Sequence, residues 1–156
     1  MRYRRLHVEG ATFFFTLVTW HRRPWFVDPV NVRLLGEVMR DVRRRRPFVT
    51  KAICVLPEHL HCIWRLPVDD PDFSTRWMLI KRAVTRAVRQ RPGMSDVTVW
   101  QARYWERRLR DERDVAAHCA YIHENPVRHG WVQCPEDWGP SSVHRLSNSS
   151  QGDVTG

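Results

Sequence analysis

Lysine is nearly absent from this 156-residue chain: Lys51 and Lys81 are the only two, so twenty-four of its 26 basic residues are arginine. Against 17 acidic residues this leaves a net charge of +9 and a pI near 10.4. That balance points to a polyanionic partner, nucleic acid first. A GC-rich genome would produce the same arginine bias, so the placement of the arginines has to decide. Cysteine is sparse as well. Cys54, Cys62, Cys119 and Cys134 form no CxxC pair and no dense framework, which reads as reduced thiols in a cytosolic protein. Long apolar runs are missing too. The longest, Phe13 to Trp20, holds two threonines and falls far short of a bilayer span. The basic start MRYRRLHVEG is not followed by a signal-type apolar core. No internal repeat or second-domain boundary is visible. The expectation is one soluble cytoplasmic domain over residues 1–146, with the small, polar SNSSQGDVTG of 147–156 as a disordered tail.

What is present is 42% hydrophobic residues and eight tryptophans, enough for a packed core. TFFFTLVTW, 12–20, is aromatic and β-branched and reads as a first strand. Asp28 followed by Pro29 opens a helix over 30–46 with Leu35, Val38, Met39 and Val42 at amphipathic spacing. FVTKAICVL, 48–56, and EHLHCIWRLP, 58–67, read as two strands separated by Pro57, either a tight hairpin or one long bent strand. Ser74 or Asp72 caps a second helix over 74–91. TVWQARYWERRL mixes aromatics with arginines and reads as a strand or an extended loop. Asp111 or Asp114 opens a third helix over 111–125. The order β-α-β-β-α-β-α predicts an α+β fold, a ferredoxin-like split βαβ antiparallel sheet with an added C-terminal helix.

LPEHLHCIW, 56–64, sets His59 and His61 two residues apart on a strand, so both imidazoles project to one face while Leu60, Cys62 and Trp64 project to the other. Two imidazoles side by side make half of a divalent-metal site. They are equally readable as ordinary histidines on a solvated sheet face. A third ligand is available in AYIHENPVRHG, 120–130. Tyr121 and Asn125 stand at i and i+4, roughly 5–6 Å apart at Cβ, on a flank outside the stripe of Val115, Cys119 and Ile122. An ionised phenol is a nucleophile. Tyr121 is also readable as a half-buried amphipathic residue, and Asn125 as a helix-ending residue ahead of Pro126, since pre-proline positions disfavour the α region.

His59-Leu60-His61 resembles the His-hydrophobic-His motif of the single-tyrosine HUH transposases. The longer strings VLPEHLHCIWRLP, DFSTRWMLIK, WQARYWERRLRDERD and YIHENPVRHGWV, in that order, resemble a branch of that group, the REP-associated tyrosine transposases. The similarity runs from about Phe13 to about Leu146. It implies a nuclease and strand transferase acting on single-stranded DNA beside a hairpin-forming palindrome, through a 5′-phosphotyrosine intermediate. His59, His61 and Asn125 would then hold Mg²⁺ or Mn²⁺, with Asn125 standing where the wider family has glutamine. Tyr121 would be the nucleophile, with His118, His123, Glu58 and Glu124 as candidate bases. Related enzymes pair tyrosine and histidines from different subunits, so monomer and homodimer both stay open.

On this reading the basic surface meets DNA. Arg76, Lys81, Arg82, Arg86 and Arg89 on the second helix would contact phosphates, and Arg103, Arg107 and Arg108 would join the aromatics of WQARYWERR in holding single strands. The protein would work in the cytoplasm, at the nucleoid. The competing class is a non-catalytic hairpin-binding regulator on the same fold. Retention of His59, His61, Tyr121 and Asn125 together favours the enzyme.

Overall fold

A computed structural model describes residues 10–146; the expected tail at 147–156 lies outside the described residues. The elements are β1 (Thr12–Val18), α1 (Pro29–Arg45), β2 (Val49–Val55), β3 (His59–Arg65), α2 (Phe73–Arg89), β4 (Trp105–Arg108) and α3 (Glu112–Arg128). The sheet order is β2-β3-β1-β4 with every neighbouring pair antiparallel, the split βαβ arrangement expected of this element order. β2 and β3 form a tight hairpin through Leu56-Pro57-Glu58, closed by Leu56 N–H donating to His59 O at 2.8 Å. A register shift between Thr50 and Ala52 marks a bulge at Lys51. No helix among the described residues is long and apolar enough to cross a membrane.

Alternation along the strands divides the sheet into two faces. Phe15, Leu17, Leu60, Cys62 and Trp64 face α1 and α2, where they bury against Leu35, Met39, Val42, Trp77, Ile80 and Val84. Trp64 and Trp77 stack at 4.1 Å and 12°, with Phe48 on the other side of Trp64 at 4.1 Å. The second face carries Ala52, Cys54 and Ile63 under Ile122 of α3. The histidine face is therefore no solvated surface. α3 roofs it, and His59 and His61 are each only 6% exposed.

Helix starts follow local chemistry. Asp28, Asp72 and Asp111 accept from Val30, Thr75 and Asp114 N–H respectively, each satisfying a donor that the helix itself leaves open. α3 does not stop at Asn125. It runs through Pro126 to Arg128, and Gly130, at φ +75°, closes its end. The predicted strand across 98–109 shortens to Trp105–Arg108. Val99 and Trp100 are instead buried in the core, while Trp105 is 76% exposed.

Arg76 is a correction. Expected on the DNA face, it is fully buried, and its guanidinium joins the end of α1 to the start of α2. Nε donates to Arg46 O at 3.1 Å, Nη2 to Pro47 O at 2.8 Å and Asp70 Oδ2 at 3.0 Å, and Nη1 to Asp72 O at 2.8 Å. Arg76 stands four residues before Ile80 and eight before Val84, so helical spacing puts it on the buried face, apart from Arg82, Arg86 and Arg89; its charge, not its position, suggested the DNA face. Replacing Arg76 with methionine strands those acceptors and is expected to cost about 3–5 kcal/mol, measured as a fall in the urea midpoint at unchanged m-value.

Candidate active site

The register of β1 on β3 sets the site: Thr16 lies opposite His61 and Val18 opposite His59. The two imidazole centroids are 4.8 Å apart. Glu58 Oε1 lies 2.8 Å from His59 Nδ1. A carboxylate only accepts, so Nδ1 carries the proton and Nε2 keeps its lone pair. His61 Nδ1 pairs with Thr16 Oγ1 at 2.8 Å; in the tautomer that donates to the hydroxyl, its Nε2 is bare as well. Such partners orient histidines for ligation. Burial pulls His61 down to about 3, helped by its neighbours His59 and His129. Burial also lowers His59, against the opposing pull of Glu58. Both imidazoles are thus neutral and available as ligands at neutral pH.

α3 lays one stripe along this pair. The Tyr121 ring stands 5.7 Å from His61, and two turns on, the His129 ring stands 5.4 Å from His59. Asn125 lies midway, at i+4 from Tyr121 and i−4 from His129, and so above the pair. Contrary to the sequence expectation it is not outside the buried stripe: it is 1% exposed, and its Oδ1 has no hydrogen-bond partner. The only other described side-chain oxygen in that condition is Asn31 Oδ1, on α1. A buried acceptor left open calls for a reason. Two bare imidazole nitrogens and one open amide oxygen fit a hard divalent ion that keeps room for phosphate oxygens and water. Among the described residues no three His, Cys, Asp or Glu side chains gather closely enough to hold a metal by themselves, so a metal held at this pair would need the amide.

Tyr121 is 38% exposed at the wall of a cleft of about 600 Å³ lined also by Phe14, His61, Trp105, Arg107 and His118. Arg128 places its guanidinium 5.2 Å over the Tyr121 ring. Of the four candidate bases only His118 lines this cleft; its Nδ1 donates to Asp114 O at 2.8 Å, which leaves Nε2 open. His123 is buried against Ser142 Oγ at 2.8 Å, Glu58 serves His59, and Glu124 is exposed elsewhere on α3. Cys54 pairs across the ladder with His61; burial pushes its thiol up to about 12.

The expected DNA-binding residues divide between the two faces. Arg107 joins the Tyr121 cleft, while Lys81, Arg82, Arg86 and Arg89 line a separate groove of about 550 Å³ between α2 and residues 98–102. Two of these also brace that segment: Lys81 Nζ donates to Gln101 O at 2.8 Å and Arg89 Nε to Val97 O at 2.9 Å. Arg103 and Arg108 are exposed, and Arg108 lines a pocket with Thr12 and Asp111. Thr16, Arg128 and His129 were not picked out from sequence. The 121–125–129 spacing signals His129; Thr16 is visible only once the register is known.

Comparison with known proteins identifies the fold and the family. A Deinococcus radiodurans protein described provisionally as a transposase shares the fold, with a TM-score of 0.52 and 19% identity over 76% of this chain and 92% of that one. A solved REP-associated tyrosine transposase bound to a REP hairpin superposes with a TM-score of 0.78 and 41% identity, covering 88% of this chain and 79% of that one. The REP-associated tyrosine transposase of Escherichia coli K12 is 43% identical over 143 residues, 92% of this chain and 82% of that protein. A Haemophilus influenzae relative given the same name provisionally is 35% identical over 152 residues, 92% of this chain and 85% of its own length. No family profile matches the chain. The protein is a transposase by fold and by kinship; more narrowly, it belongs to the REP-associated tyrosine transposases.

Removing the open acceptor separates fold from site. Without metal, Asn125→Leu is expected to hold stability within about 1 kcal/mol, because a buried unsatisfied oxygen is lost along with the amide. The wild type is expected to gain melting temperature in millimolar Mn²⁺ and the variant is expected to gain none, as read by calorimetry.

Proposed function

We propose that the protein cuts and rejoins single-stranded DNA beside a hairpin of the REP type, with Tyr121 as nucleophile. The observation that carries this reading is the approach of the Tyr121 ring to 5.7 Å from His61, beside an open buried amide oxygen, in a chain whose relative was solved with a REP hairpin. Tyr121 Oη attacks phosphorus, the bond to O3′ breaks, and the strand is left as a 5′-phosphotyrosine with a free 3′-hydroxyl. The diester is exchanged rather than hydrolysed, so a second 3′-hydroxyl can reverse the step without a nucleotide cofactor. His118 Nε2, on the same cleft wall, takes the phenol proton. Arg128 fixes the direction of the ring. His59, His61 and Asn125 would hold Mg²⁺ or Mn²⁺, which when bound supplies Lewis-acid polarisation of the phosphate.

The tyrosine and the histidine pair come together within one chain, so a monomer carries the whole constellation. Trp105, exposed at the cleft, offers a stacking surface for an unpaired base, and Arg107 offers charge to the backbone. The groove of Lys81, Arg82, Arg86 and Arg89 tracks phosphates on the other face, where the paired stem of the hairpin can lie. Arg103 and Arg108 add exposed charge near the β4 edge, while Arg76 has no part in binding.

A labelled oligonucleotide carrying the palindrome from the gene's own neighbourhood tests the chemistry. With Mg²⁺ the wild type is expected to form a protein–DNA adduct that survives denaturation, lost in EDTA and in Tyr121→Phe. Hairpin binding with no cut under any condition would instead make the protein a hairpin-binding regulator. The groove has its own readout. Arg82→Ala with Arg86→Ala is expected to flatten the dependence of log Kd on log salt by about 1–2 units, since each lost phosphate contact removes roughly 0.7–0.9.

A further inference from the structure

Between β1 and α1 the chain passes through Trp20-His21-Arg22-Arg23, four exposed side chains in a row. His21 and Arg22 have φ of +53° and +50°, and among the described residues no other non-glycine position has positive φ. Two consecutive L residues in the left-handed region are strained, and strain of this kind persists only where surrounding bonds impose it. Those bonds are present. Thr19, fully buried, donates its hydroxyl to Arg23 O at 2.8 Å and to Glu58 O at 3.0 Å. Its N–H donates to the same Glu58 O at 2.9 Å, and Trp20 N–H donates to Val99 O at 2.8 Å. Since Val18 pairs with His59, the strained turn begins one residue past the partner of His59 and is tied to the carbonyl just before it.

The backbone of Arg22 is thereby held at the His59 end of the pair, from which an exposed guanidinium can reach over it. Its charge reaches that imidazole, adding to the lowering that burial dominates. Among the described residues its guanidinium has no carboxylate or carbonyl partner. Tyr121 stands at the other end, beside His61. In an in-line displacement the attacking and departing oxygens lie on opposite sides of phosphorus. A phosphate over the pair, attacked from the His61 end, releases its leaving oxygen toward the His59 end.

We propose that Arg22 is a further catalytic residue, whose guanidinium receives the departing O3′ of the cleaved strand. This rests on the reading that Tyr121 attacks the phosphate. The Oη–P bond forms as the P–O3′ bond breaks. The phenol proton leaves through His118, and O3′ gains negative charge that Arg22 stabilises by hydrogen bonding until solvent protonates it to the 3′-hydroxyl.

The experiment compares single-turnover cleavage of an ordinary oligonucleotide with one whose scissile O3′ is replaced by sulfur, a leaving group that needs no such stabilisation. Arg22→Gly is the main variant, because glycine accepts the left-handed backbone; Arg22→Lys retains the charge. Arg22→Gly is expected to cut the oxygen substrate about 10²–10³-fold more slowly, the size of loss seen when one such donor is removed. The deficit on the sulfur substrate is expected to shrink to a few-fold, with hairpin affinity unchanged and melting temperature unchanged or raised by relief of the left-handed strain, and Arg22→Lys is expected to fall between. Equal losses on both substrates, no loss on either, or a loss of rate matched by a loss of binding would each overturn the role. Failure of the wild type to form its adduct, or cleavage by Tyr121→Phe, would remove the underlying reading without reference to any Arg22 variant.

Discussion

The pairing of β1 with β3 is the constraint on which the site depends. It sets Thr16 against His61 and Val18 against His59. It also carries Phe15 and Leu17 into the tryptophan core on the other face. A slip of β3 by one residue would reverse both of its faces at once, turning the imidazoles toward Trp77 and carrying Leu60, Cys62 and Trp64 beneath α3. The orientation of the ligand candidates and the packing of the main core are therefore one choice, enforced by apolar burial. Stability in the tryptophan layer is what keeps two neutral histidines aimed at α3.

α3 contributes the other half by geometry alone. Tyr121, Asn125 and His129 recur every fourth residue, so α3 and its C-terminal cap set a phenol, an amide and a third imidazole along the pair. That line needs the helix to continue past Asn125, and it does, even though Pro126 has no N–H to give to the preceding turn. At the middle of this stripe the Asn125 oxygen is buried without a partner, while Tyr121 and His129 on either side are exposed. The layer on the α1–α2 side, by contrast, is almost wholly aliphatic and aromatic. Packing and chemistry occupy opposite faces of one sheet.

Much of this was legible in the sequence, for reasons that can be named. Period-two alternation around His59 and His61, the aspartate caps and the amphipathic stripes are local signals, and they gave the element order and the fold. The pairing of Tyr121 with Asn125 was legible because helical spacing is fixed. Where the outcome depended on tertiary partners, sequence misled. Arg76 shares its spacing with the buried Ile80 and Val84, and its charge is met by five backbone and carboxylate acceptors at the junction of two helices. Asn125 was taken for a flank residue because a helical wheel does not show that α3 rests on the sheet with that flank inward. Thr16 carries no local mark at all; it acquires meaning only from the strand that it pairs with.

Cys54 bears on the site in another way. It is the cross-strand neighbour of His61, on the same face, yet among the described residues it joins no group of three His, Cys, Asp or Glu side chains close enough to hold a metal. Burial pushes its thiol up to about 12, and it packs as a small apolar side chain with Ala52 and Ile63 under Ile122. The sulfur is filler: it closes the floor beside the histidine pair and leaves nitrogen and oxygen as the donors that the site presents.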